Sequence, residues 1–146
     1  MSNITYLLQK YRQSAQVQEI VTALSSPQPR VRLNGTMGAQ KAFVLAATAE
    51  NTQALHVAVC ETKEEAAYLF NDLSGLLGEQ RTWFFPDSFK RAAFFDDLNP
   101  AQILQRSETV NKLTSTPGNG HVVITYPEAL FEKVVKPSTL AQHRID

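Results

Sequence analysis

The sequence predicts an α/β fold, specifically a three-layer α/β/α sandwich around a mainly parallel sheet. Three observations support this prediction. Short apolar runs alternate along the chain with segments of helical periodicity. The apolar runs are nearly continuous, which is typical of parallel strands covered on both faces. Finally, 146 residues with 43% hydrophobic content suffice for one self-supporting core.

Composition narrows the classes of function. The chain has 14 Lys and Arg residues against 14 Asp and Glu residues, a balance that disfavours a generally basic nucleic-acid coat. A single cysteine, Cys60, cannot form an internal disulfide. Residues 1–12 lack the apolar core of a signal peptide, and no apolar run approaches the ~20 residues that span a bilayer. We therefore expect a cytoplasmic protein without membrane contact.

The N-terminal residues 1–30 are predicted to form a helical lead-in. Two apolar stripes have the spacing of one-faced helices. The first consists of Ile4, Leu7, Leu8 and Tyr11, and the second of Val17, Ile20, Val21 and Leu24. The run Ser25–Pro29 then interrupts the pattern and indicates a linker.

Residues 31–136 are predicted to form the α/β domain. Its strands are expected at Val31–Leu33, Leu55–Cys60, Thr82–Phe85 and His121–Thr125, with helices at about 40–49, 62–78, 99–114 and 127–131. Two helix starts carry local signals: Thr62 and Glu65 have capping-box spacing, and Asn99 precedes a proline at the first helical position. Residues 137–146 complete no element and are expected to begin a further domain or a linker.

The most informative segment is Gly35–Ala42, which is similar to a phosphate-binding loop. That motif reads G-x-x-x-x-G-K-[ST] between a strand and a helix, and its backbone N–H groups and lysine surround phosphates. Gly35 and Lys41 occupy motif positions, and Gly38 lies between them. Gln40 replaces the second motif glycine, and Ala42 replaces the hydroxyl residue that binds magnesium. The sequence therefore predicts a P-loop-NTPase-like sandwich with a degenerate phosphate loop.

Two interpretations of this loop follow. Exposed N–H groups and the helix dipole near Gly35, Gly38 and Lys41 would still attract an anion. Alternatively, the segment is a tight strand-to-helix turn with Lys41 in solvent. Either way, we expect no productive nucleotide binding and no cofactor for this chain.

The remaining candidates for chemistry are weaker. Asp96 and Asp97 follow only two apolar residues, so they are expected near a helix start rather than at a metal. His56, His121 and His143 have no metal-ligand spacing with one another or with Cys60. We expect neither catalytic residues nor a metal site.

An aromatic cluster stands in the middle of the chain. Its members are Trp83, Phe84, Phe85, Phe89, Phe94 and Phe95, with Lys90 and Arg91 among them. Stacking on single-stranded nucleic acid is one interpretation. Packing in and around a buried strand is the stronger one, because the first three fall on a predicted strand.

Several short motifs, taken in order, resemble the N-terminal region of the bacterial transcription-repair coupling factors (Mfd). They are Asn34–Phe43, Ala66–Leu73 with Asp72, Phe85–Asp87, Arg106 and Val122–Leu130. The resemblance covers about residues 31–145. That region is in turn similar to the first α/β domain of the excision-repair protein UvrB.

The resemblance implies a place in a larger protein, an ATP-dependent DNA translocase with helicase-like motor domains. Such proteins release RNA polymerase stalled at DNA damage and recruit the UvrA-containing nucleotide excision repair machinery. ATP and magnesium would belong to the distant motor domains. UvrA, RNA polymerase and double-stranded DNA would be partners of the whole protein.

The resemblance also implies the role of this chain. A second domain of the UvrB-like region carries the main surface for UvrA, and residues 137–146 stand about where that domain would begin. The chain is therefore expected to be a fragment that acts as a non-catalytic scaffold, with mainly intramolecular contacts to neighbouring domains. We do not expect it to bind UvrA by itself.

Departures from UvrB bear on this expectation. UvrB has an intact phosphate loop and a tyrosine-rich hairpin. Here Gln40 and Ala42 interrupt the loop, and the segment Pro86–Pro100 contains no tyrosine. Two alternatives stay open: a working nucleotide-binding domain of a helicase-like protein, which Ala42 disfavours, and an unrelated α/β interaction domain.

Overall fold

The computed structural model describes residues 3–52, 54–88, 99–115, 118 and 120–134. In chain order its elements are α1 (Asn3–Arg12), α2 (Ala15–Leu24), α3 (Gln40–Asn51), β1 (His56–Val59), α4 (Lys63–Leu77), β2 (Thr82–Phe84), α5 (Pro100–Ser115), β3 (Val122–Thr125) and α6 (Pro127–Phe131). Helices and strands alternate from α3 onward, which confirms the predicted α/β class.

The three strands form a parallel sheet in the order β1-β3-β2. Val123 lies at the centre of the register, opposite Val57 on one side and Trp83 on the other. All four residues of β3 are buried, as expected of a central strand between two parallel neighbours.

Helices α4 and α5 contact opposite faces of the sheet at β2. On one face, the Thr82 hydroxyl donates to the Leu73 carbonyl of α4, and the rings of Phe84 and Phe70 lie 5.4 Å apart. On the other face, the Arg106 guanidinium of α5 lies 4.1 Å from the centre of the Phe85 ring.

Helices α1 and α2 form at the two predicted apolar stripes and pack against α3. Leu8 and Val17 are buried, and the rings of Tyr11 and Phe43 stack at 5.2 Å. The Arg12 Nε lies 3.3 Å from the Glu50 carboxylate, which ties α1 to the end of α3.

Local signals placed the helix ends correctly. The Thr62 hydroxyl accepts the N–H of Glu65 at 3.1 Å and caps α4, and the Asn99 side chain accepts the N–H of Ala101 at 3.2 Å before α5. Gly78 ends α4 with a φ of 83°. These caps depend on residues three or fewer positions apart, so the sequence contains all the information that they need.

The predicted strand Val31–Leu33 is wrong. The segment is not part of the sheet, and the side chains of Val31 and Leu33 are 42% and 49% exposed. Three residues make a strand only where a neighbouring edge lies within hydrogen-bonding distance. The sheet as described ends at β1 without reaching them.

Full coverage of the sheet is also a wrong prediction at β1. This strand is shorter than Leu55–Cys60, and Val57 and Val59 are 56% and 55% exposed. They share one sheet face with Val123 and Trp83, which are buried, because side chains alternate along each strand. The edge strand therefore has one apolar face open to solvent.

Other sequence predictions fall outside the described residues. These concern Asp96, Asp97, Phe89, Phe94, Phe95, His143 and the segment 137–146. Within the described part, Trp83 and Phe85 are buried and Phe84 packs on Phe70, so packing explains these three aromatics.

Candidate functional site

The glycine loop lies between the irregular segment 29–34 and the start of α3. Gly35 and Gly38 have φ angles of 77° and 53°, in the left-handed region that glycine adopts at little cost. A Cβ added at either residue would meet nothing within 4 Å. These two glycines are thus required by backbone conformation rather than by a close neighbour.

Gln40 closes this loop from within. Its side-chain Oε1 accepts the N–H of Met37 at 2.9 Å, while its own N–H donates to the Met37 carbonyl at 3.1 Å. In a phosphate loop, such backbone N–H groups point inward and bind phosphate oxygens. Here the Gln40 side-chain oxygen accepts the Met37 N–H in place of a phosphate oxygen. The sequence indicated a missing glycine at position 40 but not this internal bond.

Lys41 is directed to α4. Its Nζ lies 3.3 Å from the Glu65 Oε1, and its side chain is mostly exposed. The other Glu65 oxygen accepts the N–H of Glu61 at 3.3 Å. An exposed ion pair of this kind contributes little stability, on the order of 0–1 kcal/mol. It nevertheless gives the ammonium group a carboxylate partner in place of a phosphate.

Ala42 is buried in the core, with 1% of its surface exposed. It provides no hydroxyl for magnesium. Among the described residues, no group of three or more His, Cys, Asp or Glu side chains could hold a metal ion. In the loop that contains Gly35, Gly38 and Lys41, the ammonium group and one N–H are thus already bonded within the chain.

A second polar cluster lies at the carboxyl ends of β2 and β3. The Tyr126 hydroxyl donates to the Asp87 carboxylate at 2.7 Å and accepts the Asp87 N–H at 2.9 Å. Lys63 at the start of α4 donates to the same carboxylate at 2.9 Å. Burial, together with the neighbouring Asp87 carboxylate, raises the pKa of the Tyr126 phenol well above its ordinary value.

Arg106 joins this cluster to α5 and α6. Its guanidinium donates to three backbone carbonyls, those of Pro86 at 2.7 Å and of Ala129 and Glu132 at 2.9 Å. The Glu132 carboxylate lies 3.8 Å from Nε and also accepts the Ser88 N–H. Burial lowers the pKa of Arg106, and Glu132 opposes that shift. Every nitrogen of the guanidinium thus faces a partner among the described residues, so the cluster ties α5 to the residues that follow β2 and to α6.

The structure assigns packing roles to the remaining candidates. Burial and the nearby Glu65 raise the pKa of the Cys60 thiol, which disfavours the nucleophilic thiolate. The His56 ring bonds the Thr52 hydroxyl at 2.6 Å, and burial lowers its pKa. The His121 ring stacks on Trp83 at 4.5 Å.

Arg106 is the structurally important residue whose role sequence reasoning missed. The available signal was an arginine on α5 close to its apolar stripe of Ile103, Val110 and Leu113. Which carbonyls it bonds depends on chain ends that only the tertiary fold brings together.

No protein-family profile, curated protein or solved structure matches this chain. Within the described residues, no helix is both long and apolar enough to cross a membrane. The geometry of the two clusters is therefore the basis for any functional assignment.

Proposed function

We propose that this chain is a non-catalytic domain with a P-loop-NTPase-like, three-layer arrangement, in which the nucleotide loop has become a structural turn. The observation that carries the proposal is the bond from the Met37 N–H to the Gln40 side chain. Any phosphate entering the loop has to displace this intramolecular acceptor.

Each of the three parts of a nucleotide loop differs here from what nucleotide binding requires. The backbone cradle loses the Met37 N–H to Gln40. The lysine is paired with Glu65. The metal-binding hydroxyl is replaced by the buried methyl group of Ala42. Phosphoryl transfer depends on charge stabilisation by all three parts, so the arrangement favours a domain without turnover.

The resemblance of the motif order supports a more specific proposal. The chain would be the UvrB-like domain of a transcription-repair coupling factor, a cytoplasmic protein of nucleotide excision repair. The whole protein would be the ATP-dependent DNA translocase, with ATP and magnesium at other domains and UvrA, RNA polymerase and DNA as partners. This domain would act as a scaffold for the UvrA-recruiting surface.

Calorimetric titration with magnesium-ATP tests the non-catalytic proposal. We expect no heat of binding up to millimolar ATP, either for the chain or for Lys41→Ala. Micromolar binding that Lys41→Ala abolishes would contradict the proposal and favour a working nucleotide-binding domain of a helicase-like protein. The variant Gln40→Ala is the informative companion, because it releases the Met37 N–H without altering Lys41.

Capture on the immobilised chain tests the proposed partners. With purified UvrA, RNA polymerase and duplex DNA offered separately, the scaffold proposal expects retention no higher than on blank resin. Specific retention of UvrA would place the docking surface on this domain itself. If a longer chain with a further domain also retained neither UvrA, RNA polymerase nor DNA, an unrelated α/β interaction domain would be favoured.

A further inference from the structure

The sequence contains two Asn-Gly pairs, Asn34–Gly35 and Asn119–Gly120. In such a pair, the backbone nitrogen of the glycine can attack the side-chain amide of the asparagine, because glycine has no Cβ to hinder the approach. The reaction needs no enzyme, so its rate in a folded chain depends on whether the fold lets the two groups meet. The packing of the two glycines therefore indicates which pair reacts.

The first pair is unrestrained in the fold. Asn34 and Gly35 are both exposed, and neither belongs to a helix or a strand. Within the described part of the chain, neither the Asn34 side chain nor the Gly35 N–H forms a hydrogen bond. A Cβ added at Gly35 would meet nothing within 4 Å, so the backbone there has room to rotate.

The glycine of the second pair is closely packed. Gly120 is buried, and its carbonyl accepts a hydrogen bond from the Arg81 guanidinium at 3.0 Å. A Cβ added at Gly120 would collide with the Ala49 carbonyl oxygen. A glycine packed this tightly can turn its nitrogen toward a neighbouring side chain only when the fold opens locally.

Four other described asparagines are less suited to the reaction, since a residue other than glycine follows each of them. Asn71 and Asn111 lie inside α4 and α5, where helical hydrogen bonds hold the backbone N–H groups. The Asn51 amide donates to the Arg12 carbonyl at 3.2 Å. Asn99 precedes a proline, which has no N–H to react.

We propose that Asn34 is a site of spontaneous deamidation and isoaspartate formation in the folded chain. The Gly35 nitrogen gives its proton to hydroxide and forms a bond to the Asn34 Cγ. The bond between Cγ and Nδ2 then breaks, and ammonia leaves with a proton from water. The resulting five-membered succinimide adds one water: opening at Cγ gives aspartate, and opening at the backbone carbonyl carbon gives isoaspartate. The net change is the uptake of one water and the release of one ammonia.

Both products change the glycine loop. Each replaces the Asn34 amide by a carboxylate, and isoaspartate also adds one methylene group to the backbone before Gly35. Asn34 lines a cavity of about 380 Å³ together with Lys10 of α1 and Gln40. Because like charges repel, a carboxylate here opposes phosphate binding further. The proposal does not rest on the proposed function, since it requires only that Asn34 and Gly35 are exposed and unbonded.

Peptide mapping by mass spectrometry, during incubation at mildly alkaline pH and body temperature, tests the proposal. The reference is a capped synthetic peptide with the sequence of residues 31–37. We expect Asn34 of the folded chain to react within about threefold of the peptide rate, and at least about tenfold faster than Asn119. In urea the two pairs should react at similar rates. Methyl transfer by an isoaspartyl methyltransferase identifies the isoaspartate product.

Two variants and one control complete the test. The unmodified chain has a formal net charge of zero, so deamidation produces an acidic form that anion exchange separates. Asn34→Gln should remove most of this form, because glutamine closes a six-membered ring far more slowly. Gly35→Ala should slow its appearance by about tenfold, since the added Cβ hinders the attack. Asn111→Gln, in α5, should leave it unchanged.

Three results would overturn the proposal. The first is a reaction of Asn34 in the folded chain that is more than about tenfold slower than in the peptide, because the fold would then protect the pair. The second is a reaction of Asn119 in the folded chain that is as fast as that of Asn34. The third is equal accumulation of the acidic form in Asn34→Gln and in the unmodified chain.

Discussion

The polar groups at the carboxyl end of β2 are bonded within the chain, whereas backbone groups at the outer edge of β1 face solvent. At β2, the buried Arg106 bonds three carbonyls, and Tyr126 and Lys63 share the Asp87 carboxylate. At β1, the backbone groups of Val57 and Val59 point to solvent beside exposed apolar side chains. Among the described residues, the polar groups of the first region are bonded to one another, whereas the outward backbone groups of the second have no such partner.

The largest expected effect comes from removing the Arg106 guanidinium from the polar cluster at the carboxyl ends of β2 and β3. Arg106→Met keeps most of the side-chain volume but leaves three carbonyls and the Glu132 carboxylate without their donor. We expect the free energy of unfolding to fall by about 3–5 kcal/mol, as for other broken buried ion pairs. Urea denaturation measures this change. Lys112→Met, on the exposed side of the same helix, should change it by less than about 0.5 kcal/mol.

Two glycine-to-alanine substitutions, at Gly120 and Gly75, test the backbone conformations of the fold. Gly120 has a φ of 67°, and an added Cβ would collide with the Ala49 carbonyl oxygen. Gly120→Ala should therefore destabilise the chain by about 3 kcal/mol. Gly75→Ala, inside α4 with open space around it, should stabilise it by about 0.5–1 kcal/mol. Equal effects in thermal denaturation would contradict the assigned backbone conformations.

Alkaline pH should lower the free energy of unfolding through deprotonation of Tyr126. Because the pKa of this phenol is raised in the fold, its contribution is fully present below its ordinary pKa of about 10 and is lost as the pH rises above that value. Tyr126→Phe should cost about 1–3 kcal/mol at pH 7, since the Asp87 N–H and carboxylate both lose a partner. It should also flatten the fall in stability above pH 10. Urea denaturation at several pH values measures this. If stability fell as steeply above pH 10 in Tyr126→Phe as in the unmodified chain, groups other than Tyr126 would cause the fall.

The smallest expected effect concerns the glycine loop. Gln40→Ala removes the acceptor of the Met37 N–H near the exposed start of α3, so the free energy of unfolding should fall by about 0.5–1 kcal/mol. The more specific readout is faster hydrogen exchange at Met37. Unchanged exchange at this residue would mean that the side-chain bond does not persist in solution.

Sequence reasoning succeeded where the determinants are local. The caps at Thr62 and Asn99, the helices α1 and α2 and the strand β3 were all predicted from nearby residues. It failed at Val31–Leu33, because β-propensity cannot show whether a neighbouring edge is within reach.

The candidate site was predicted in outline only. The replacements at positions 40 and 42 indicated a degenerate loop, and the structure adds how Gln40 and Lys41 are bonded. The partners of Arg106 come from β2, α6 and the residues after α6. Such a set depends on three-dimensional proximity of distant segments, so no spacing rule could have predicted it.

Residue-resolved hydrogen exchange in the isolated chain tests the contrast between the two regions most directly. Ala58 and Val123 have N–H groups inside the β1–β3 ladder, whereas those of Val57 and Val59 face outward. We expect the outward amides to exchange at least about a hundredfold faster than the ladder amides. Protection of all four amides to within about tenfold would contradict it, because the edge of β1 would then be covered already.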